Sequence, residues 1–286
     1  MTASKPTYKL LDSGSFRKYE QVGQYRIVRP SPQAVWLPRL TDQAWQDSDF
    51  QYNRKSDGDG HWSKASLLPE EEIIEYGGLS FVLKFTSFGH LGLFPEQIDN
   101  WSLIPSLIDR AKEKPKILNL FGYTGGTTLA ALKAGAAVTH VDASKTSVAW
   151  ARQNAEMSGL SDKPVRWICD DARKFVAREE RRGNVYQGIA LDPPSFGRGT
   201  KGEVWKIERD LIPLLKGIRN IVDKERFFVI LSSHSQGYCS QALSNLLTGI
   251  FGGNGEVNRS EMITRESNSD RVLPSGNSCC FSGCLN

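Results

Sequence analysis

Two short segments carry the residues of this 286-residue chain that are best suited to ligand chemistry. The first, residues 119–126, is a glycine-rich turn between an apolar run that predicts a β-strand and a stretch that predicts a helix. A backbone without Cβ atoms turns sharply and lets a ligand lie against it, and the helix that follows offers unpaired N–H groups. The second segment, residues 192–196, comes about seventy residues later, directly after another apolar run. Together the two segments predict a site for a nucleotide-like cofactor.

Acidic residues follow the next two predicted strands. Asp142 comes about twenty residues after the glycine-rich turn, where a carboxylate can bind the two hydroxyl groups of a ribose. Asp170 and Asp171 end the third strand, where a carboxylate can accept the exocyclic amine of adenine, and we assign that contact to Asp171. The alternative for each position is a helix N-cap, and for one of the Asp170–Asp171 pair this alternative is favoured.

The spacing of the glycines narrows the choice of cofactor. Gly122, Gly125 and Gly126 do not form the Gly-x-Gly-x-x-Gly pattern of dinucleotide sites, and no Lys-Ser/Thr pair follows as in a P-loop. A cofactor with ribose and adenine but no pyrophosphate fits better. S-adenosylmethionine is such a cofactor.

The second segment predicts the substrate side of the site. Asp192 stands at the carboxyl end of the fourth strand, where ligands bind in open α/β sheets. Pro193 and Pro194 make the loop rigid, and their carbonyl groups can point into the site. Phe196 can stack on a planar substrate such as a base. The alternative is a rigid turn with a core phenylalanine.

The surrounding pattern predicts an α/β fold with a doubly wound, mostly parallel, seven-stranded sheet in residues 101–286. Predicted strands cover 116–121, 137–142, 165–169, 185–191 and 227–232, with helices over 127–134, 145–158, 172–181 and 239–250 and two closing strands after 256. Residues 1–100 predict a β-rich N-terminal extension, with strands at 24–29 and 79–85 and a turn at 57–60.

Composition excludes several classes of protein. A hydrophobic content of 39% and a charged content of 24% are typical of a soluble globular protein. Neither a transmembrane helix nor a signal peptide is indicated, so we expect a cytoplasmic protein that does not associate with membranes. The five cysteines are expected to be reduced thiols, and we predict no metal site. The net charge of +4 gives weak support for a polyanionic partner.

Four stretches together resemble class I S-adenosylmethionine-dependent methyltransferases, specifically the bacterial large-subunit rRNA cytosine-C5 methyltransferase group. The matching stretches lie at residues 118–126, 141–145 with 151–154, 170–171 and 192–196. The resemblance implies a Rossmann-like methyltransferase domain and a role in rRNA processing. It also implies that Phe121, Tyr123 and Gly125 hold the methionine end of the cofactor.

The same resemblance implies further contacts. Asp142 would bind the ribose, Asp171 the adenine, and Asp192 would lie beside the sulfonium. Residues next to these positions complete the predicted cofactor site: Asn119, Ala143, Ser144 and Ala172. Residues 90–97 resemble the segment that lies over the cofactor in this group, so Phe94 and Gln97 are candidate lid contacts, with an interdomain packing segment as the alternative.

One departure from the pattern concerns the chemistry. Enzymes that methylate cytosine C5 first add a Cys thiolate to C6. In the group that this chain resembles, that Cys follows the fifth strand, where this chain carries His234. Methylation of a ring nitrogen or an exocyclic amine needs no thiol, and His234 could act there as a base or hydrogen-bond donor. The alternative is a polar residue at the end of a strand.

We therefore predict an S-adenosylmethionine-dependent methyltransferase that acts on a nucleobase of rRNA. Arg198, Lys201 and Lys206 could meet RNA phosphates, although a solvated loop is the alternative. Aromatic and basic residues interleave in the N-terminal extension, which suits RNA binding and a small β core equally well. Two alternatives stay open: a small-molecule or protein methyltransferase, and a catalytically silent cofactor- or RNA-binding module. The sequence does not indicate the oligomeric state.

Overall fold

The computed structural model describes residues 6–54, 60–108, 114–199, 202–252 and 255–285. The chain divides into two compact units, Met1–Glu96 with Ile263–Ser275, and Gln97–Met262 with Gly276–Asn286. The sequence pattern did not anticipate that residues 263–275 group with the N-terminal part. The predicted division into an N-terminal extension of residues 1–100 and a methyltransferase domain of residues 101–286 stays a prediction.

The N-terminal unit is built mainly of strands, which confirms the β-rich extension. Its elements are β1 (Tyr8–Gly14), β2 (Arg17–Val22), β3 (Tyr25–Pro30), helix α1 (Asp42–Gln46), β4 (Phe50–Arg54), β5 (Gly60–Trp62), β6 (Glu72–Tyr76) and β7 (Leu79–Leu83). β1 to β5 form one sheet in chain order, and β6 pairs with β7. Tyr19 and Trp45 stack with ring centroids 5.5 Å apart in a buried cluster. Of the predicted turn at 57–60, only Gly60 belongs to the described residues.

The nine remaining strands of the described residues lie in the second unit, except for the parts of the last two strands that fall within residues 263–275. They are β8 (Lys116–Leu120), β9 (Ala137–Asp142), β10 (Val165–Cys169), β11 (Gly188–Leu191), β12 (Phe196–Arg198), β13 (Val204–Lys206), β14 (Phe227–Ser233), β15 (Glu256–Arg265) and β16 (Val272–Gly283). Seven of them form one sheet in the order β10-β9-β8-β11-β14-β16-β15. The pairs from β10 to β14 are parallel, and β16 runs antiparallel to β14. This confirms the predicted seven-stranded, mostly parallel sheet.

Six helices of the described chain accompany this sheet. They are α2 (Ile98–Ile108), α3 (Gly126–Lys133), α4 (Lys145–Met157), α5 (Ala172–Arg181), α6 (Ile207–Arg219) and α7 (Ser240–Phe251). The predicted helices at 127–134, 145–158, 172–181 and 239–250 agree with α3, α4, α5 and α7 to within one residue at each end. None of the helices in the described ranges is long and apolar enough to cross a membrane.

Burial explains why these segments form a covered parallel sheet. All seven residues of β14 are buried, as expected for a strand with helices on both faces. In α6, Leu211, Leu214, Leu215 and Ile218 recur at helical spacing, and all four are buried in the main core cluster. The chain leaves β8 for β9 and β10 on one side and returns to β11 on the other. This reversal places a switch point at the carboxyl ends of β8 and β11, where ligands bind in such sheets.

A small hairpin was not predicted. β12 and β13 pair antiparallel directly after the segment 192–195, with Phe196 opposite Lys206. Three residues per strand are too few for a period-two pattern to be recognised in the sequence.

Candidate functional site

The glycine-rich turn leaves the carboxyl end of β8 and leads into α3. Phe121 and Tyr123 both adopt a left-handed backbone, with φ of 55° and 45°, and Gly125 follows with φ of 90°. Such a conformation is strained for residues with a Cβ and is found where the surrounding structure enforces it. The Gly122 N–H donates to the Val141 carbonyl at 3.1 Å, which ties the turn to β9. This hydrogen bond and the left-handed residues together define the shape of the turn.

Two glycines of the turn are required because neighbouring aromatic rings leave no room for a side chain. A Cβ on Gly122 would lie 2.4 Å from the ring of His140, and one on Gly126 would lie 2.3 Å from the ring of Trp101. The sequence interpretation explained these glycines by a ligand lying against the backbone. At these two positions the space that a side chain would need is filled by rings of the same unit.

Asp142, at the end of β9, organises the turn. One carboxylate oxygen, Oδ2, accepts the Tyr123 N–H at 2.9 Å, and the other, Oδ1, accepts the Ser144 N–H at 2.8 Å. Burial raises the pKa of Asp142 above its usual value, and these two hydrogen bonds lower it part of the way back. Each carboxylate oxygen keeps a lone pair for a ligand hydroxyl. A ribose contact at Asp142 stays a prediction that this geometry allows.

Asp170 and Asp171 are both engaged within the unit. Asp171 is the N-cap of α5, and its Oδ1 accepts the N–H groups of Arg173 and Lys174. Its Oδ2 pairs with the Arg173 guanidinium at 2.9 Å. Burial raises the pKa of Asp171, but the bonds from Arg173 and Lys174 outweigh it, so the pKa lies below its usual value. Asp170 pairs with Arg178. Capping therefore falls on the residue that we assigned to adenine, and the adenine contact stays a prediction.

Asp192 lies at the end of β11 beside polar side chains from two other segments. Its Oδ2 accepts the amide of Gln97 at 2.9 Å and lies 3.4 Å from Nε2 of His234. Its Oδ1 is buried and has no hydrogen-bond partner among the described residues. A buried oxygen without a donor costs about 1–3 kcal/mol, more when it is charged. The structure thus brings together three residues that the sequence pattern predicted separately.

The proline loop after Asp192, residues 193–195, is held by a hydrogen bond from Trp205. The indole N–H of Trp205 donates to the Pro194 carbonyl at 2.6 Å, and the Trp205 ring contacts Phe121 with centroids 4.8 Å apart. The Pro194 carbonyl, expected to face the ligand, therefore already has a partner inside the unit. Pro193 is buried. Phe196 is 50% exposed, which excludes the alternative of a core phenylalanine.

Trp205 is a residue that sequence reasoning missed. It joins the glycine-rich turn at Phe121 to the proline loop, and the Arg173 guanidinium lies 5.9 Å from the centroid of its ring. A tryptophan in the short charged segment 202–206 was the available signal. The sequence pattern predicts no strand in this segment, so it assigns Trp205 no structural role.

Asn119 supports the turn from inside the sheet. Its amide donates to the Thr128 hydroxyl at 2.9 Å, and that hydroxyl lies 2.9 Å from Nδ1 of His140. Burial lowers the pKa of His140 to about 3, so the imidazole is neutral. A cofactor contact by the buried Asn119 side chain stays a prediction.

The other predicted cofactor residues take different positions. Ala143 is half-buried directly after β9, Ser144 is the N-cap of α4, and Ala172 is the buried first residue of α5. Phe94 belongs to the N-terminal unit, where its ring contacts His90. Its predicted role over the cofactor stays a prediction. Lys201 lies outside the described residues.

Comparisons with known proteins agree with this fold. The family model for S-adenosylmethionine-dependent methyltransferases matches residues 32–219. A solved S-adenosylmethionine-dependent methyltransferase from Agrobacterium tumefaciens is 40% identical, with a TM-score of 0.90 over 98% of this chain and 91% of that one.

Curated relatives include ribosomal RNA large subunit methyltransferases. Methyltransferase K/L from Syntrophotalea carbinolica is 30% identical over 171 residues, which cover 59% of this chain and 23% of that protein. Methyltransferase I from Aeromonas salmonicida is 34% identical over 128 residues, which cover 44% of this chain and 31% of that protein. The chain thus spans less than a third of the length of these relatives. Because the family model covers more than half of the chain and agrees with the fold, the chain belongs to the S-adenosylmethionine-dependent methyltransferase family.

Proposed function

We propose that this protein methylates a nitrogen atom of a nucleobase in large-subunit ribosomal RNA. The observation that carries the proposal is the Asp192 carboxylate, which has one donor-free oxygen and His234 beside the other. The names of the curated relatives support ribosomal RNA as the substrate.

The residues present fit S-adenosylmethionine. Asp142 keeps free lone pairs beside a turn held open by strained backbone, and Asp192 leaves Oδ1 without a donor. We assign the amino-acid end to the turn at Phe121, Tyr123 and Gly125, and the ribose to Asp142. When bound, the cofactor supplies an electrophilic methyl group on a sulfonium.

Nitrogen is favoured over carbon as the acceptor because of the residue after β14. Attack by cytosine C5 requires a thiolate that adds to C6, and the position that would carry the thiol holds His234. A nitrogen lone pair is nucleophilic without that addition. Asp192 can accept a hydrogen bond from an N–H of the acceptor and so direct the lone pair. His234, 3.4 Å from the same carboxylate, can take part in removing the proton that the nitrogen loses.

The surface beyond the proline loop suits RNA. Phe196 is half exposed, and the guanidinium of Arg198 lies 5.9 Å from its ring centroid. Lys206, directly opposite Phe196 in the hairpin, is also exposed. An aromatic face flanked by cations can stack on a base while the cations meet phosphates.

The test measures transfer of labelled methyl from S-adenosylmethionine into total RNA from a strain that lacks the gene. We expect label in large-subunit rRNA and an N-methylated nucleoside by mass spectrometry. Asp192→Asn should lower kcat by about 100-fold or more, because the amide presents a donor where an acceptor is needed. The control Asp162→Asn changes an exposed carboxylate of the same unit and should keep wild-type activity. Label in protein or small molecules, or 5-methylcytosine as the product, would refute the proposal.

Phe196→Ala tests the RNA side separately. Loss of one stacking contact should lower kcat/KM for RNA by about 5- to 150-fold, the equivalent of about 1–3 kcal/mol. Binding of S-adenosylhomocysteine should not change. Phe88→Ala removes a phenylalanine of similar exposure, 51% against 50%, and serves as the control. Equal effects of the two variants would contradict a specific stacking role.

A further inference from the structure

A chain of buried amide and hydroxyl groups ends on Asp192. The Gln97 amide nitrogen donates to Oδ2 of Asp192 at 2.9 Å and to the Ser232 hydroxyl at 3.2 Å. Its carbonyl oxygen accepts the Asn100 amide at 2.7 Å, and the Asn100 carbonyl oxygen accepts the Ser278 hydroxyl at 2.7 Å. Each of these four side chains belongs to a residue that is at most 7% exposed.

All hydrogen bonds along this series of side chains point toward Asp192. Ser278 donates to Asn100, Asn100 donates to Gln97, and Gln97 donates to Asp192. If the Gln97 amide turned over, its oxygen would face the Asp192 carboxylate and its nitrogen would face the Asn100 amide. Two acceptors and two donors would then oppose each other in a buried site, which is costly. Asn100 and Ser278 therefore set which end of Gln97 meets Asp192.

The two carboxylate oxygens of Asp192 therefore differ in their hydrogen-bond partners. Oδ2 is held by Gln97, with His234 nearby, while Oδ1 receives no donor from the described residues. Both amide hydrogens of Gln97 are used by Asp192 and Ser232. A lid contact of Gln97 to the cofactor, which the resemblance implied, stays a prediction.

We infer that Gln97 is a positioning residue for Asp192, with Asn100 and Ser278 fixing the orientation of its amide. It fixes the orientation in which the partly exposed carboxylate faces the acceptor N–H. The inference rests on the proposed nitrogen methylation and adds residues from α2 and β16 that do not touch the substrate. Their effect should appear in the rate of the reaction rather than in the binding of either ligand.

The experiment compares Gln97→Met, Ser278→Ala and the double variant in the full-length protein. Gln97→Met keeps the length of the side chain but cannot donate, and we expect kcat to fall by about 10- to 100-fold. Ser278→Ala should lower kcat by several-fold. KM for RNA and the Kd for S-adenosylhomocysteine should stay within about twofold of wild type. Gln241→Met, at an exposed glutamine of α7, is the matched control.

The double variant tests whether Ser278 acts through Gln97. If Ser278 acts through Gln97, the double variant should have the same kcat as Gln97→Met alone, because the hydrogen bond to Asp192 is already lost in that variant. Multiplied losses, an unchanged kcat in both single variants, or a cofactor Kd that weakens in step with kcat would each overturn the inference. Should Gln97→Met fail to fold, the small change in Ser278→Ala still gives the split between kcat and KM.

A measurement without RNA separates this inference from the proposed function. In the cofactor-free protein, the side-chain amide resonance of Gln97 should shift in Asp192→Ala and in Ser278→Ala. If wild type labels no RNA while the resonance shifts as expected, the proposed function fails, but the positioning role of Gln97 is supported. If RNA is labelled but neither the resonance nor kcat changes in the variants, the positioning role of Gln97 is wrong.

Discussion

Replacing His140 should remove a large acid sensitivity of this protein. His140 lies in β9 beneath Gly122 and is fully buried. Its Nδ1 has the Thr128 hydroxyl as a partner, but its Nε2 has none among the described residues. Burial lowers the pKa of this imidazole to about 3. The unfolded chain binds a proton at His140 with a pKa of about 6.5.

The sign follows from the two pKa values. Between about pH 6.5 and pH 3 the unfolded chain carries a proton on His140 that the folded chain rejects, so acid favours unfolding. Each pH unit in this window is worth about 1.4 kcal/mol. From about pH 7.5 to about pH 5, the loss covers 1.5 units of the window, or about 2 kcal/mol. Above about pH 6.5 the effect is absent.

His140→Asn tests this magnitude. The asparagine amide does not titrate and can keep a hydrogen bond to Thr128. The variant costs packing at both pH values, so the relevant quantity is the change in unfolding free energy between about pH 7.5 and about pH 5, measured with urea. We expect this change to be about 2 kcal/mol smaller in the variant than in wild type.

An NMR titration provides the direct check. The His140 ring resonances of the folded protein should stay constant from about pH 7.5 to about pH 4.5. A ring that titrates near pH 6.5 in the folded state would refute the reasoning. So would an unfolding free energy that depends on pH identically in wild type and His140→Asn.

Two further predictions follow from packing. Gly122→Ala should destabilise the protein by about 1–3 kcal/mol in urea, because the new methyl meets the His140 ring. Gly249→Ala in α7, where a Cβ meets nothing within 4 Å, should be neutral or stabilise by up to about 1 kcal/mol, and equal effects would contradict the packing argument. Trp205→Phe keeps an aromatic ring beside Phe121 but loses the bond to Pro194, so amide exchange in β12 and β13 should quicken about fivefold, the equivalent of about 1 kcal/mol. Unchanged exchange would mean that this bond does not hold the loop.

Much of the methyltransferase fold was predictable from the sequence because its signals are local. The apolar runs that form β8, β9, β11 and β14 follow one another with helical segments between them, and this alternation specifies a parallel sheet. The strand order then brings the ends of β8 and β11 side by side. That is why the sequence indicates Phe121, Asp142 and Asp192 as candidate site residues.

Which atoms of these residues are already engaged was decided by the tertiary structure alone. The pairing of Gln97 with Asp192 joins residues 95 positions apart, and that of Asn100 with Ser278 joins residues 178 positions apart. Trp205 reaches back to Pro194 from a hairpin too short to leave a pattern. A sequence indicates which residues can donate or accept a hydrogen bond. Only the packed sheet determines which donor meets which acceptor, because that depends on distances between segments that no local pattern encodes.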